Sequence, residues 1–351
     1  MEEEHPYQSL PSKAYWKQVV AERNCLEIEG WYAKKWPITQ SRISSAGSCF
    51  AQHIGRYLRD FGFNFLDVEP PPPGLVKACW AEYGYGLYSA RYGNIYTPRQ
   101  LLQLLLRATG ELKPVEDVWG FEGGYVDPFR PALERAPFSS PEEVEAMRKS
   151  HLQAVLKLFE QTDVFIFTLG LTEAWVSKDE GLVFPLCPGV RGGKFDSLKY
   201  RFRNFSFAAV KTDLEEFVSR VRSINNNIKF IFTVSPVPLV ATASGEQVVV
   251  ATTYSKSVLR GVAGLLAEKY SYVDYFPSYE IIASPVMKGI FYEPDMRSVT
   301  SSGVQHVMKC FFGQHHPPRK TRARDRPEEG KLSDDLVCEE LLLQSFGDLR
   351  L

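Results

Sequence analysis

The sequence predicts an α/β fold, with a mainly parallel sheet covered by helices on both faces. Three observations carry this expectation. Short apolar runs stop at glycine or proline, as buried strands do. Between them lie longer stretches with apolar residues at three- and four-residue steps. The composition is that of an ordinary globular chain, 44% hydrophobic and 24% charged over 351 residues, enough for one large domain or two modest ones.

The elements follow in order. Residues 1–39 form an extension rich in aromatics and charge, in which "KAYWKQVV" suggests a short helix carrying Trp16 and Val20. "RISSA" is a short strand anchored by Ile43. Gly47 then permits a sharp turn. Beyond it Phe50, Ile54, Leu58 and Phe61 mark one face of a helix. "VEPPPPG" (68–74) is a stiff connection, because proline removes donors and fixes φ, and the residues after it read as an excursion from the core. "DVFIFTLG" (163–170), "IKFIFTVSPV" (228–237) and "YSYVDYFPSYE" (270–280) are strands. Helices are expected at 142–161 on Val144, Met147, His151, Val155 and Leu158, and at 210–224 on Leu214, Phe217, Val218 and Val221. A further helix is expected at 252–269 on Val258, Val262 and Leu265. Strand–helix alternation argues for a parallel sheet. Ligands then sit beyond the carboxyl ends of its strands. Residues 313–351 read as a disordered, charged tail, with a basic cluster from Arg319 to Arg326 and a short terminal helix at "EELLLQSF".

The balance of 41 Lys and Arg against 42 Asp and Glu leaves a net charge of −1, which argues against a nucleic-acid partner. The polar N-terminus lacks a secretory h-region, and no apolar run is long enough to span a membrane. Six scattered cysteines without a C-x-x-C pair fit a reducing cytoplasm and argue against a metal or disulfide framework.

The chemistry centres on "GSCFA". Ser48 and Cys49 fall at a strand end and a helix start, where free N–H groups and the helix dipole favour negative charge. That setting lowers a thiol pKa and holds an oxyanion. The same spacing is met by a plain N-cap serine and a small buried cysteine.

"GSCFA" resembles the signature of the GSCFA family. The resemblance continues through "YGNIYTPRQLL" (92–102), "TLGLTEAW" (168–175), "PGVRGGKFD" (188–196), "FRNFSF" (202–207), "VSPVPL" (234–239), "FPSYEI" (276–281) and "FYEPDMRSVTSSGVQHVMKCF" (291–311). It covers residues 40–312 and implies a likeness to SGNH (GDSL-type) hydrolases, three-layer α/β/α folds that act on ester bonds. It places the nucleophile at Cys49 or Ser48 after Gly47. Gly93 and Asn94 would stand at the second motif. Gly170, Thr172 and Glu173 would stand at the third, with Thr172 where such hydrolases carry an oxyanion asparagine. Asp295 would open the Asp-x-x-His pair, but Ser298 occupies the histidine position. A thiol needs less help than a serine hydroxyl, which tilts the choice towards Cys49. His53 and His306 are the replacement bases open to it, since His151 lies on an apolar helix stripe and His5, His315 and His316 lie in the expected mobile ends. Glu173 and Glu280 are candidate orienting carboxylates, and "RGGKFD" reads as a surface turn whose Arg191 and Lys194 offer positive charge. The expected substrate is a small-molecule or carbohydrate ester, handled without a cofactor by hydrolysis or acyl transfer. The alternative is a non-catalytic ligand-binding module on the same fold.

Overall fold

The computed structural model describes residues 5–318 and 338–348. Nine strands and eight α-helices are named here in chain order, with short 3₁₀ turns between them. Strand β1 (Ile43–Gly47) leads into α1 (Ala51–Asp60), followed by α2 (Pro98–Ala108), β2 (Trp119–Phe121), β3 (Gly124–Val126) and α3 (Pro141–Gln161). Then come β4 (Val164–Leu169), β5 (Glu173–Ser177), β6 (Val183–Phe184), β7 (Tyr200–Asn204), α4 (Phe207–Ile224) and β8 (Lys229–Val234). The chain continues with α5 (Val248–Lys269), β9 (Val273–Phe276), α6 (Ser278–Ala283), α7 (Ser301–Gln314) and α8 (Gln344–Asp348).

The central sheet is parallel, with strand order β1-β4-β8-β9. Side chains along a strand alternate between faces. Phe165, Phe167, Phe230 and Phe232 therefore pack with Leu105 of α2, Phe159 of α3, Phe217 of α4 and Leu259 of α5. Val164, Ile166 and Ile231 point the other way, onto Ile54 and Leu58 of α1, Ile281 of α6 and Phe311 of α7. The result is a three-layer α/β/α sandwich, as the sequence predicts. Local chemistry fixes the helix starts: Thr97, Ser140, Ser206 and Thr300 each cap a helix with the side-chain oxygen.

Several expectations are revised. The third strand is confined to β9, because Pro277 ends it and the next residues begin α6. On α5 the buried stripe includes Leu266, with Leu265 only half-buried. The antiparallel β6-β5-β7 sheet and the β2-β3 hairpin are additions that no strand signal announced. His315, expected in a mobile end, is buried, with Nε2 3.0 Å from the Tyr32 hydroxyl, which itself donates to Asp274. This contact pins the N-terminal extension, of which Trp16 is exposed, to the sheet edge. Of the expected disordered tail, residues 319–337, including the basic cluster, and 349–351 lie outside the described residues. Residues 338–348 pack back onto the sandwich, and the short helix expected there is present as 339–343 and α8.

Candidate active site

Ser48 and Cys49 lie at the carboxyl end of β1, where the chain turns into α1. Gly47 has φ +147°, and a Cβ there would lie 2.5 Å from the Thr168 carbonyl oxygen. Only glycine fits that turn. Gly170, one residue past β4, is tight as well: a Cβ would stand 3.0 Å from Ser48 Cβ and 3.1 Å from the Tyr96 carbonyl oxygen. The two glycines let β1 and β4 close around the Ser48-Cys49 pair.

The first α1 hydrogen bonds run from the N–H groups of Ala51, Gln52 and His53 to the carbonyls of Ser48, Cys49 and Phe50. The N–H groups of Cys49 and Phe50 precede that ladder, and are the donors such a terminus presents to an anion. Ser48 does not cap the helix with its hydroxyl. Its Oγ is buried with no partner among the described residues, and its N–H donates to Thr168.

Cys49 is buried, and its thiol hydrogen-bonds the thiol of Cys338. That contact, then burial, pushes the Cys49 pKa upward. Cys338 moves downward, because it accepts from Cys49 and lies beside the Arg297 guanidinium. Arg297 Nη2 is 3.7 Å from Cys338 Sγ and 3.4 Å from Glu340 Oε2. Lys256, on α5, is buried, and its Nζ donates to the Gly170 carbonyl at 2.7 Å. Burial lowers its pKa to about 7, against the pull of Glu340 and Cys49. Glu339 and Glu340 are buried too, and desolvation raises them to about 8 and about 7.

The other expected site residues divide into two groups. Asn94 and Gly93 stand at the site: the Asn94 side chain bonds Glu339, whose Oε1 lies 3.3 Å from where a Gly93 Cβ would be. Asn94 Oδ1 accepts from Tyr88, whose hydroxyl also reaches the Ser48 carbonyl at 3.1 Å. Thr172 is engaged elsewhere, its hydroxyl donating to Asn204 at 2.7 Å and its N–H to Ser255 at 2.9 Å. Glu173 accepts from Thr242 at 2.8 Å on the wall of the adjoining cavity. Asp295 accepts from Ser298 Oγ at 2.6 Å and from the N–H groups of Arg297 and Ser298. Ser298 thus closes the Asp295 loop, and what that loop delivers to the cysteines is Arg297.

Neither histidine is among the groups acting on Cys49; Cys338, Glu340 and Arg297 are, and Cys49 in turn acts on Lys256. His53 is buried against Phe50, and desolvation lowers its pKa to about 3. His306 lies on α7 against Phe291, with ring centroids 5.0 Å apart. Glu280 is paired with Arg260 and Tyr275, whereas Arg191 donates to the carbonyls of Pro131 and Glu134 and its charge acts on Glu339.

Ser48 and Cys49 open on a niche shared with Tyr96, Gly170, Leu171, Ser235 and Glu340. Through Tyr96, Leu171 and Glu340 the niche adjoins a mainly apolar cavity of about 390 Å³, walled by Trp175, Phe184, Phe195 and Phe202 and by Leu343 and Phe346 of the C-terminal segment. Sequence reading missed Lys256, Arg297, Cys338, Glu339 and Glu340. The signals for the first two are a charge beside the apolar stripe of α5 and a place between Asp295 and Ser298; nothing local marks the other three. No helix among the described residues is long and apolar enough to cross a membrane.

No curated protein matches the chain. The model of the GSCFA family matches residues 42–311, which takes in β1 through most of α7 and hence Cys49, Asn94, Lys256 and Arg297. With most of its length so matched, the chain belongs to the GSCFA family.

Proposed function

We propose that the protein is an ester- or thioester-directed hydrolase or acyltransferase that works through a covalent acyl group on Cys49. The observation that carries this reading is the placement of the Cys49 thiol: at a helix start, beside the buried Lys256 and the half-buried Arg297, and next to an apolar cavity large enough for an acyl group or a sugar ring. Lys256, neutral over part of the physiological range, accepts the thiol proton. The thiolate attacks the carbonyl carbon, forming a C–S bond. The carbonyl oxygen takes the negative charge and lies against the N–H groups of Cys49 and Phe50 and the Asn94 side chain. Collapse breaks the bond to the leaving alcohol or thiol, which takes the proton back from Lys256. Water, or an acceptor hydroxyl such as that of a carbohydrate, then removes the acyl group. Ser48 is less suited to attack, since its buried hydroxyl has no hydrogen-bond partner among the described residues.

The experiment treats the full chain with a fluorophosphonate and, separately, with iodoacetamide from pH 5 to 9, and maps the adducts by mass spectrometry. A Cys49 acyl adduct from 4-nitrophenyl or thiophenyl esters, lost in Cys49→Ala and kept in Ser48→Ala, supports the reading. Selective labelling of Ser48 overturns the choice of nucleophile, and no selective labelling of either overturns catalysis. One observation favours a second reading, a non-catalytic ligand-binding module: the chain's own residues 338–346 already fill the approach to Cys49. That reading expects ligand binding without any acyl adduct.

A further inference from the structure

The C-terminal segment touches the candidate site at four places. Cys338 meets the Cys49 thiol. Glu339 takes a hydrogen bond from Asn94. Glu340 lies 3.4 Å from Arg297 Nη2. Leu343 and Phe346 wall the apolar cavity. The anchoring at 339–346 does not depend on the cysteines, so it holds Cys338 at Cys49 whichever state the thiols are in.

We propose that Cys49 and Cys338 form a redox pair, in which a peroxide oxidises the two thiols to a disulfide that fastens the C-terminal segment across the site. Geometry supplies the pairing: the two thiols hydrogen-bond each other although 289 positions apart in the chain, Glu340 two residues beyond Cys338 lines the same niche as Cys49, and no other cysteine is among the groups acting on either. Electrostatics supplies the order of events. Cys338 is the partly accessible member, and it carries the negative charge, facing Arg297 at 3.7 Å and receiving the Leu341 N–H. An accessible thiolate beside a resolving cysteine is the arrangement that peroxides oxidise selectively. The Cys338 thiolate attacks one peroxide oxygen, the O–O bond breaks, and hydroxide leaves, giving a sulfenic acid. The Cys49 sulfur attacks the sulfenic sulfur and displaces hydroxide, which takes up the Cys49 proton and leaves as water. In sum, two thiols and one hydrogen peroxide give one disulfide and two waters. Thiol exchange with a small dithiol reverses it.

The loss of Cys49 reactivity that follows rests on the proposed role of Cys49; formation of the disulfide does not, and is read without any substrate. The test uses the full-length reduced protein, exposed to a small excess of hydrogen peroxide, quenched with iodoacetamide and digested with trypsin without reduction. The expected product is one linked pair of peptides, residues 43–56 and 332–350, in a monomer 2 Da lighter per chain, with Cys25, Cys79, Cys187 and Cys310 alkylated. Dithiothreitol separates the pair. Alkylation of Cys49 falls at least tenfold on oxidation and returns on reduction. Arg297→Gln slows disulfide formation, whereas Arg297→Lys largely keeps it. The proposal is overturned if Cys338 advances to the sulfinic acid without the linked pair, if the link forms only between chains, or if Cys338 pairs with the other cysteines as readily as with Cys49. Because the wild-type digest decides these outcomes, a variant that fails to fold leaves the test intact. Should no ester turn over but the linked pair form, the acyl-transfer reading fails and the redox pair stands.

Discussion

Gly47→Ala probes the turn that presents Cys49. The new methyl group sits at φ +147°, 2.5 Å from the Thr168 carbonyl oxygen, 2.8 Å from Thr168 Cβ and 2.9 Å from its nitrogen. These neighbours belong to β4, which is paired with β1 on one side and β8 on the other, so they yield little. Backbone strain at such a φ costs about 1–3 kcal/mol. Overpacking against fixed backbone adds about 1–3 kcal/mol. The expected loss is therefore about 3–5 kcal/mol near the midpoint of the range. Unfolding entropy near 60 °C is about 2.1 cal/mol/K per residue, or about 0.7 kcal/mol/K for this chain, so Tm falls by about 4–7 °C. Gly110→Ala is the control: φ is +77° and nothing among the described residues lies within 4 Å of a Cβ there, so only the strain remains. Differential scanning calorimetry of both variants separates the two contributions. Equal shifts in the two, or a Gly47→Ala shift under about 2 °C, would refute the argument that the β1–β4 contact excludes every other residue.

The remaining predictions concern the charges around the cysteines. Arg297→Gln removes the cation beside Cys338, and its alkylation midpoint should rise by about 1–3 pH units, with Arg297→Lys shifting it less; an unmoved midpoint places the control elsewhere. Glu339 faces Asn94, Cys338, Arg191 and Glu340, and desolvation raises its docked pKa to about 8 from an ordinary 4.5. Its contribution to docking is complete below pH 4.5 and lost as pH rises through 8, so cleavage of residues 339–346 by thermolysin, relative to the free peptide, should accelerate between about pH 5 and 8 and level off above that. Glu339→Gln should flatten that rise, and a wild-type rate that falls with pH would contradict it. Lys256 is depressed to about 7 from 10.5, so the unfolded chain binds the extra proton between those values and stability gains with rising pH across that window. Lys256→Met removes this slope, and its Tm relative to wild type should be more favourable at pH 6 than at pH 9.

The sequence by itself determined the sandwich and the place of its central turn. Buried parallel strands such as "DVFIFTLG" and helix stripes such as Leu214-Phe217-Val218-Val221 are local signals, because periodicity records which side of an element meets the core. Gly47 and the apolar face that follows marked the turn at Cys49 for the same reason. What surrounds Cys49 was decided only by the tertiary structure. Its neighbours come from four distant parts of the chain: Asn94, Lys256, Arg297 and Cys338. A polar residue brought to a site by long-range packing leaves no periodic trace in its own neighbourhood. Cys338 and the two glutamates that follow it are the clearest instance, since a charged, proline-rich stretch precedes them and reads as solvated chain. Their burial rests on partners supplied from elsewhere: an amide from Asn94, a guanidinium from Arg297 and an apolar wall from β5, β6 and β7. The same holds for Asp295 and Ser298, where the sequence pointed to a missing base and the fold uses the pair to close a loop that carries Arg297 to the thiols.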